Sequence, residues 1–330
     1  MSAALFGCRI EWGTPSTVSQ ADGQRRDVWV YTSFYRTMLD ALEPELSRQV
    51  PQVNVKWFQS GSEKVATRLE AEFAAGTTQA DVVIISDPFL YERYKNEGRW
   101  RRYVSPSSLR VPSTLIDLDG HFTANRVSTM VIVARAGKKA PKSFGELAAP
   151  AWKDVVALAD PLTSGTAMTW AYFMMKTQGP DYFLRLRKNG ARIAGGSAAV
   201  IQKIETGESD VGIALLENVL TSRAKGSPID IVWPEEGAVI IPGFSAILAT
   251  SKNPDGAQRV LDAFASPQVQ ALIAQVGDMH ATDPRVGGPR DIEKLSDLLR
   301  RAQPWDESTL AHGLSEQERV KTAFREAFAQ

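Results

Sequence analysis

A single cysteine, Cys8, in a chain of 330 residues leaves no disulfide framework and no cysteine-cluster metal site. The three histidines, His121, His280 and His312, stand far apart and form no metal-ligand spacing. No apolar run approaches the roughly 18 residues of a membrane span. Lys plus Arg equals Asp plus Glu at 38 each, so no net field steers the chain toward nucleic acid or an anionic membrane. Walker loops, GxGxxG turns in a strand-to-helix setting and GxSxG elbows are missing as well. No cofactor is expected, and any anion the protein binds must be caught locally.

What is present is an ordinary globular composition, 43% hydrophobic and 23% charged, in a chain long enough for two lobes or one large α/β domain. The first 25 residues are a polar lead and a candidate for disorder. Leu5-Phe6-Gly7-Cys8 faintly resembles a lipoprotein cleavage box, but too few residues precede it for a charged and then an apolar signal region.

Beyond the lead, apolar strands and helical periodicity alternate. Asp27 to Ser33 reads as a buried strand, Phe34 to Arg48 as a helix, Val53 to Phe58 as a strand, Lys64 to Ala75 as a helix closed by Gly76, and Ala80 to Pro88 as a fully apolar strand central in a parallel sheet. Strands at Val155 to Asp160, Ala191 to Ala194 and Val211 to Leu215 repeat the pattern. Two long apolar segments, Arg126 to Ala134 and Ala238 to Thr250, lead from one lobe into the other. The expected fold is therefore α/β, two doubly wound lobes joined by a two-strand hinge. Lobe 1 would take residues 26–126 with 246–285, and lobe 2 residues 127–245 with 286–330. Asn253 to Val276 is helical, and the amphipathic tail from Asp291 to Phe328 would pack on the outside.

In open α/β sheets ligands sit beyond the carboxyl ends of strands, where helix N-termini offer unpaired N–H groups and partial positive charge. Small hydroxyl-rich turns occupy such places at Thr32-Ser33, Ser60-Gly61-Ser62, Thr163-Ser164-Gly165-Thr166 and Gly195-Gly196-Ser197. Each alone is ordinary capping and turn chemistry. Their recurrence in both lobes favours a binding role, and the turn at Ser164 is the strongest, with three hydroxyls and a glycine placed to wrap an oxyanion without any basic side chain. Asp81, Asp87 and Asp160 lie at strand ends as catalytic carboxylates would, but Asp-Pro pairs are also turn formers. Tyr172, Phe173, Met174 and Met175 read as a buried helix core.

The stretches VYTSF at Val30 to Phe34, Gly61 to Pro88, DPLTSGTA at Asp160 to Ala167, Gly195 to Asn218 and Phe244 to Gln270 resemble, in the same order, the periplasmic solute-binding proteins of ABC importers. The resemblance is to the type II branch of ferric-ion, polyamine, sugar-phosphate and phosphonate binders. It implies an extracytoplasmic receptor, periplasmic and monomeric, that passes a small anionic or zwitterionic organic ligand to an ABC permease. It also implies that Ser164, Gly165 and Thr166 form the helix start that grips an anionic oxygen. Arg126 then falls at an anion-binding position, Gly196 and Ser197 form a second oxygen-contacting turn, and Thr32, Ser33 and Ser62 face them from the other lobe.

The departure is at Leu215-Leu216-Glu217-Asn218, where iron-binding relatives carry a tyrosine pair. Glu217 and Asn218 suit an amine or hydroxyls on an organic ligand, so the expected solute is a small organic phosphate or phosphonate. Plain alternatives stand beside these readings: Arg126 as a hinge arginine paired to a carboxylate, Glu217 as a solvated helix-start charge. A ferric-ion or polyamine receptor of the same fold, a sensor subunit for a membrane kinase, and a two-domain α/β enzyme using Asp160 or Glu217 as acid or base are the competing functions.

Overall fold

The computed structural model describes residues 26–328, so the polar lead and Cys8 lie outside the described residues. On one side of the molecule β1 (Arg26–Thr32) pairs in parallel with β2 (Val53–Gln59) and with β3 (Val82–Ile85). Helices α1 (Arg36–Gln49), α2 (Ser62–Ala74) and α3 (Pro88–Asn96) follow these strands in turn. The period of two in the strands divides their side chains between two layers. Val28, Val30, Val82 and Ile84 pack with Met38, Leu42, Val260 and Ile273, whereas Tyr31, Val83 and Ile85 face Val65, Leu69 and Phe89. A sheet covered on both faces is the doubly wound arrangement.

The hinge is a pair of long strands, β5 (Thr123–Arg135) and β10 (Val239–Leu248), buried throughout except for the half-buried Arg135, which run antiparallel to each other. Short β4 (Trp100–Arg101) adds to β10. On the far side, β6 (Val156–Ala159) pairs in parallel with β7 (Arg192–Gly195) and with β8 (Val211–Leu215), and β8 and β9 (Ile229–Val232) pair antiparallel to β5. This second lobe carries α4 (Gly165–Gln178), α5 (Tyr182–Lys188), α6 (Ser197–Thr206) and α7 (Leu216–Ala224). The order β2-β1-β3-β10-β5-β8-β6-β7 makes one continuous hydrogen-bonded sheet through the hinge.

Two expectations need correction. β3 is central, but only β1 flanks it in parallel; its other neighbour, β10, is antiparallel, because the hinge strand re-enters lobe 1 from the opposite direction. The helical stretch after Asn253 is two helices, α8 (Pro254–Phe264) and α9 (Pro267–Gln275), because Pro267 cannot continue the first and starts the second. Asn253 and Ser266 cap them through the N–H groups of Gly256 and Val269, at 3.1 and 3.3 Å.

Strand β11 (His280–Ala281) pairs with β5 at Arg126 and Val127. The tail divides into α10 (Leu295–Arg301) and α11 (Glu307–Phe328). Helix α11 lies against α3 of lobe 1 as well as α4 and α5 of lobe 2. Its Gly313 sits so close to Phe89 that a Cβ there would come within 2.1 Å of the ring.

Candidate functional site

The strand ends of both lobes face a cleft of about 650 Å³. Lobe 1 contributes Ser33, Phe34, Tyr35, Gly61, Ser62 and Ser86, and lobe 2 contributes Ser164, Thr166, Gly196, Ser197, Leu215 and Glu217. The hinge strand adds Arg126 and Ser128, and Met279 closes one side. The N-cap residues of five helices are among these: Tyr35 for α1, Gly61 for α2, Ser164 for α4, Gly196 for α6 and Leu215 for α7. Only Ser164 caps its helix through its own side chain, accepting from the Ala167 N–H at 3.4 Å. The other four N-cap residues line the cleft without such a cap, and the first turn of a helix carries unpaired N–H groups and partial positive charge.

Arg126 is 2% exposed. Its guanidinium donates to Asn125 Oδ1 at 3.0 Å, Ser33 Oγ at 3.2 Å and Ser86 Oγ at 3.0 Å, and lies 3.8 Å over the Phe34 ring. All three acceptors, an amide oxygen and two hydroxyls, are neutral, so no carboxylate bonds the guanidinium. Burial pulls its pKa down to about 10, which leaves it charged at neutral pH. Because Ser33 and Ser86 accept from the arginine, their own O–H protons are free to donate into the cleft, polarised by the cation behind them.

Glu217 is the opposite element. It is 3% exposed, Oε1 accepts from Ser128 Oγ–H at 2.7 Å, and Oε2 has no partner among the described residues. Burial pushes its pKa up to about 7; the Ser128 hydrogen bond and the charge of Arg126 oppose that shift. Ser197 Oγ accepts from the Leu215 N–H at 3.1 Å, fixing the start of α7 against that of α6.

Most residues singled out in the sequence therefore meet in one place: Ser33, Ser62, Arg126, Ser164, Thr166, Gly196, Ser197 and Glu217 all line the cleft. Three stand behind or beside it. The Thr32 hydroxyl donates to the Ile84 carbonyl at 2.9 Å and accepts from the Phe34 N–H, holding the turn that aims Ser33. Gly165 lets the first turn of α4 press on lobe 1, since a Cβ there would lie 2.8 Å from Asp87 Cβ. Asn218 Oδ1 accepts from the Tyr35 hydroxyl at 3.0 Å, a latch between α1 and α7.

Phe34, Tyr35, Ser86, Ser128 and Met279 were not singled out. Ser86, at the end of β3, and Ser128, two residues after Arg126 on the same strand face, carried a readable signal; Met279 arrives from a distant loop and carried none. Asp81, Asp87 and Asp160 serve as turn and cap acceptors, for Trp29 and Asn253, Leu90, and Leu162 respectively. His280 bonds the Glu293 carbonyl and is not among the cleft residues.

The profile of a family described as bacterial extracellular solute-binding protein matches residues 27–277. An uncharacterized protein of Haemophilus influenzae is 26% identical over 245 residues, 68% of this chain and 69% of that protein. The spermidine/putrescine-binding periplasmic protein of Escherichia coli is 33% identical over 69 residues, which span 21% of this chain and only 20% of that protein. Among solved structures, AfuA from Actinobacillus pleuropneumoniae with fructose-6-phosphate bound has a TM-score of 0.81 at 21% identity, covering 93% of this chain and 99% of its own. Iron-bound HitA from Pseudomonas aeruginosa has a TM-score of 0.79 at 17% identity, covering 92% and 99%.

At such identities the structural likeness shows the fold, the two-lobed type II periplasmic binding-protein fold. Members of the family are periplasmic, and no helix among the described residues is long and apolar enough to cross a membrane. With a family profile matched over well more than half its length, the chain belongs to the bacterial extracellular solute-binding proteins, transport receptors of ABC importers and not enzymes.

Proposed function

We propose that the cleft binds a small organic oxyanion, a phosphate ester or phosphonate, and delivers it to an ABC permease. The observation that carries this reading is the convergence of five helix N-caps and Arg126, whose guanidinium is held only by neutral acceptors, on one cleft. Such donors satisfy oxyanion oxygens at little reorganisation cost. No bond is made or broken; the ligand's preference for the closed arrangement shifts the population of lobe positions.

The free oxygen of Glu217 selects a second feature on the ligand, a hydroxyl or an ammonium placed away from the oxyanion. The fructose-6-phosphate bound to AfuA is a solute of the first kind, and an aminophosphonate is one of the second. Ferric ion is disfavoured because Tyr35 supplies the lone phenol of the cleft lining and its hydroxyl is bonded to Asn218. A polyamine is disfavoured because two or more cationic centres would face five helix starts and Arg126 with Glu217 as the lone carboxylate of the lining.

The test is calorimetric titration of refolded, ligand-stripped protein with fructose 6-phosphate and 2-aminoethylphosphonate. Arg126→Ala and Ser164→Ala are each expected to weaken binding by about 1–3 kcal/mol in a folded protein. Ser164→Ala should also cost about 1 kcal/mol of stability through its lost cap. Unchanged affinity in both variants refutes this assignment of the site.

A further inference from the structure

Hinge strands β5 and β10 pair with Gly243 opposite Arg126, and the register then slips so that Phe244 pairs with Ala124. Asn125 is thus the extra residue of a β-bulge, a distortion that re-aims neighbouring side chains. Opposite residues of an antiparallel pair project to the same face, so a side chain at Gly243 would rise beside that of Arg126. A Cβ built on Gly243 would lie 2.8 Å from both Cγ and Cζ of Arg126 and 2.9 Å from Nε. The backbone of Gly243 does not require glycine, since its φ is not in the left-handed region. What requires glycine is the volume taken by the guanidinium.

We propose that Gly243 is a positioning residue for anion recognition. Its bare Cα is one wall of a slot, the Phe34 ring is another, and together they hold the Arg126 guanidinium where Asn125, Ser33 and Ser86 accept from it. The slot does the work that a carboxylate partner does for most buried arginines, and it leaves the positive charge uncancelled. Any Cβ at position 243 forces the guanidinium off those acceptors, because the three atoms nearest to it all belong to the arginine, which is 2% exposed. The binding consequence rests on the oxyanion reading of the cleft; the slot itself does not.

Both parts are tested by a double-mutant cycle of Gly243→Ala and Arg126→Ala, read by urea unfolding without ligand and by calorimetry with fructose 6-phosphate and 2-aminoethylphosphonate as probes. Gly243→Ala is expected to lower the unfolding midpoint in the presence of Arg126, yet to cost nothing further in the Arg126→Ala background, where the methyl has room. For the better-bound probe, Gly243→Ala should lose about tenfold or more in affinity, and the double variant should match Arg126→Ala alone. Additive effects on unfolding would overturn the slot, since the methyl would then be clashing with something other than the arginine. Wild-type affinity in Gly243→Ala, while Arg126→Ala binds weakly, would overturn the positioning role. If Arg126→Ala binds both probes like wild type, Arg126 takes no part in recognition and the positioning role fails with it, while the unfolding cycle still decides the slot.

Discussion

Glu217 ties the cleft to pH. Its pKa rises from an ordinary 4.5 to about 7 because burial disfavours the carboxylate. The native state therefore holds this proton more tightly than the unfolded chain, so its contribution to stability is full below about pH 4.5 and is lost as pH rises toward 7. Glu63, also raised to about 7 by burial and by Asp87, acts in the same direction. His280, lowered by burial to about 4, acts in the opposite one, losing stability as pH falls from 6.5 through 4. Glu217→Gln isolates one contribution: relative to wild type, the variant should gain on the order of 1–3 kcal/mol in urea unfolding between pH 5 and pH 8. A constant difference across that range contradicts the assignment.

The same group separates ligand classes. A hydroxyl-bearing phosphate should bind less well above pH 7, where Glu217 becomes an anion, and an ammonium-bearing phosphonate should bind better. Since the ligand's own ionisation is common to both proteins, the ratio of wild-type to Glu217→Gln affinities isolates the residue.

At the scale of elements, the strand ends and the turns after them were readable, because apolar runs stop at polar turns and the first small residue after a strand tends to cap the next helix. That is why Ser33, Ser62, Ser164 and Ser197 could be placed in the turns between strands and helices, although of these four only Ser164 is an N-cap. Pairing direction was not readable: nothing in Val239 to Leu248 says that it returns antiparallel beside β3. Nor could periodicity reveal Met279 in the cleft or the Tyr35 latch on Asn218, which depend on contacts between residues far apart in the chain.

The contact of α4 with the turn between β3 and α3 makes an element-scale prediction. Gly165→Ala places a Cβ 2.8 Å from Asp87 Cβ and 3.1 Å from the Ser86 carbonyl. Alanine is the better helix former by about 1 kcal/mol, so α4 itself should not suffer. The expected outcome is a wider separation of the lobes in small-angle X-ray scattering at saturating ligand, with affinity reduced about tenfold. An unchanged scattering profile would mean that this contact does not limit closure.

For the whole molecule, a hinge of two antiparallel strands allows the lobes to rotate about β5 and β10 while α11 lies across α3, α4 and α5. Net charge is zero, so attraction of the ligand comes from the local field of helix starts and Arg126 and should fall little with salt once the cleft has closed and excluded water. The most direct test of oxyanion recognition is a thermal-shift panel on ligand-stripped protein with fructose 6-phosphate, 2-aminoethylphosphonate, inorganic phosphate, spermidine, and iron(III) with bicarbonate. A ligand at about a hundred times its dissociation constant should stabilise the fold by roughly 2.7 kcal/mol. Stabilisation by a phosphate ester or phosphonate, lost in Arg126→Ala, is the predicted result; stabilisation by spermidine or iron(III) alone would contradict it.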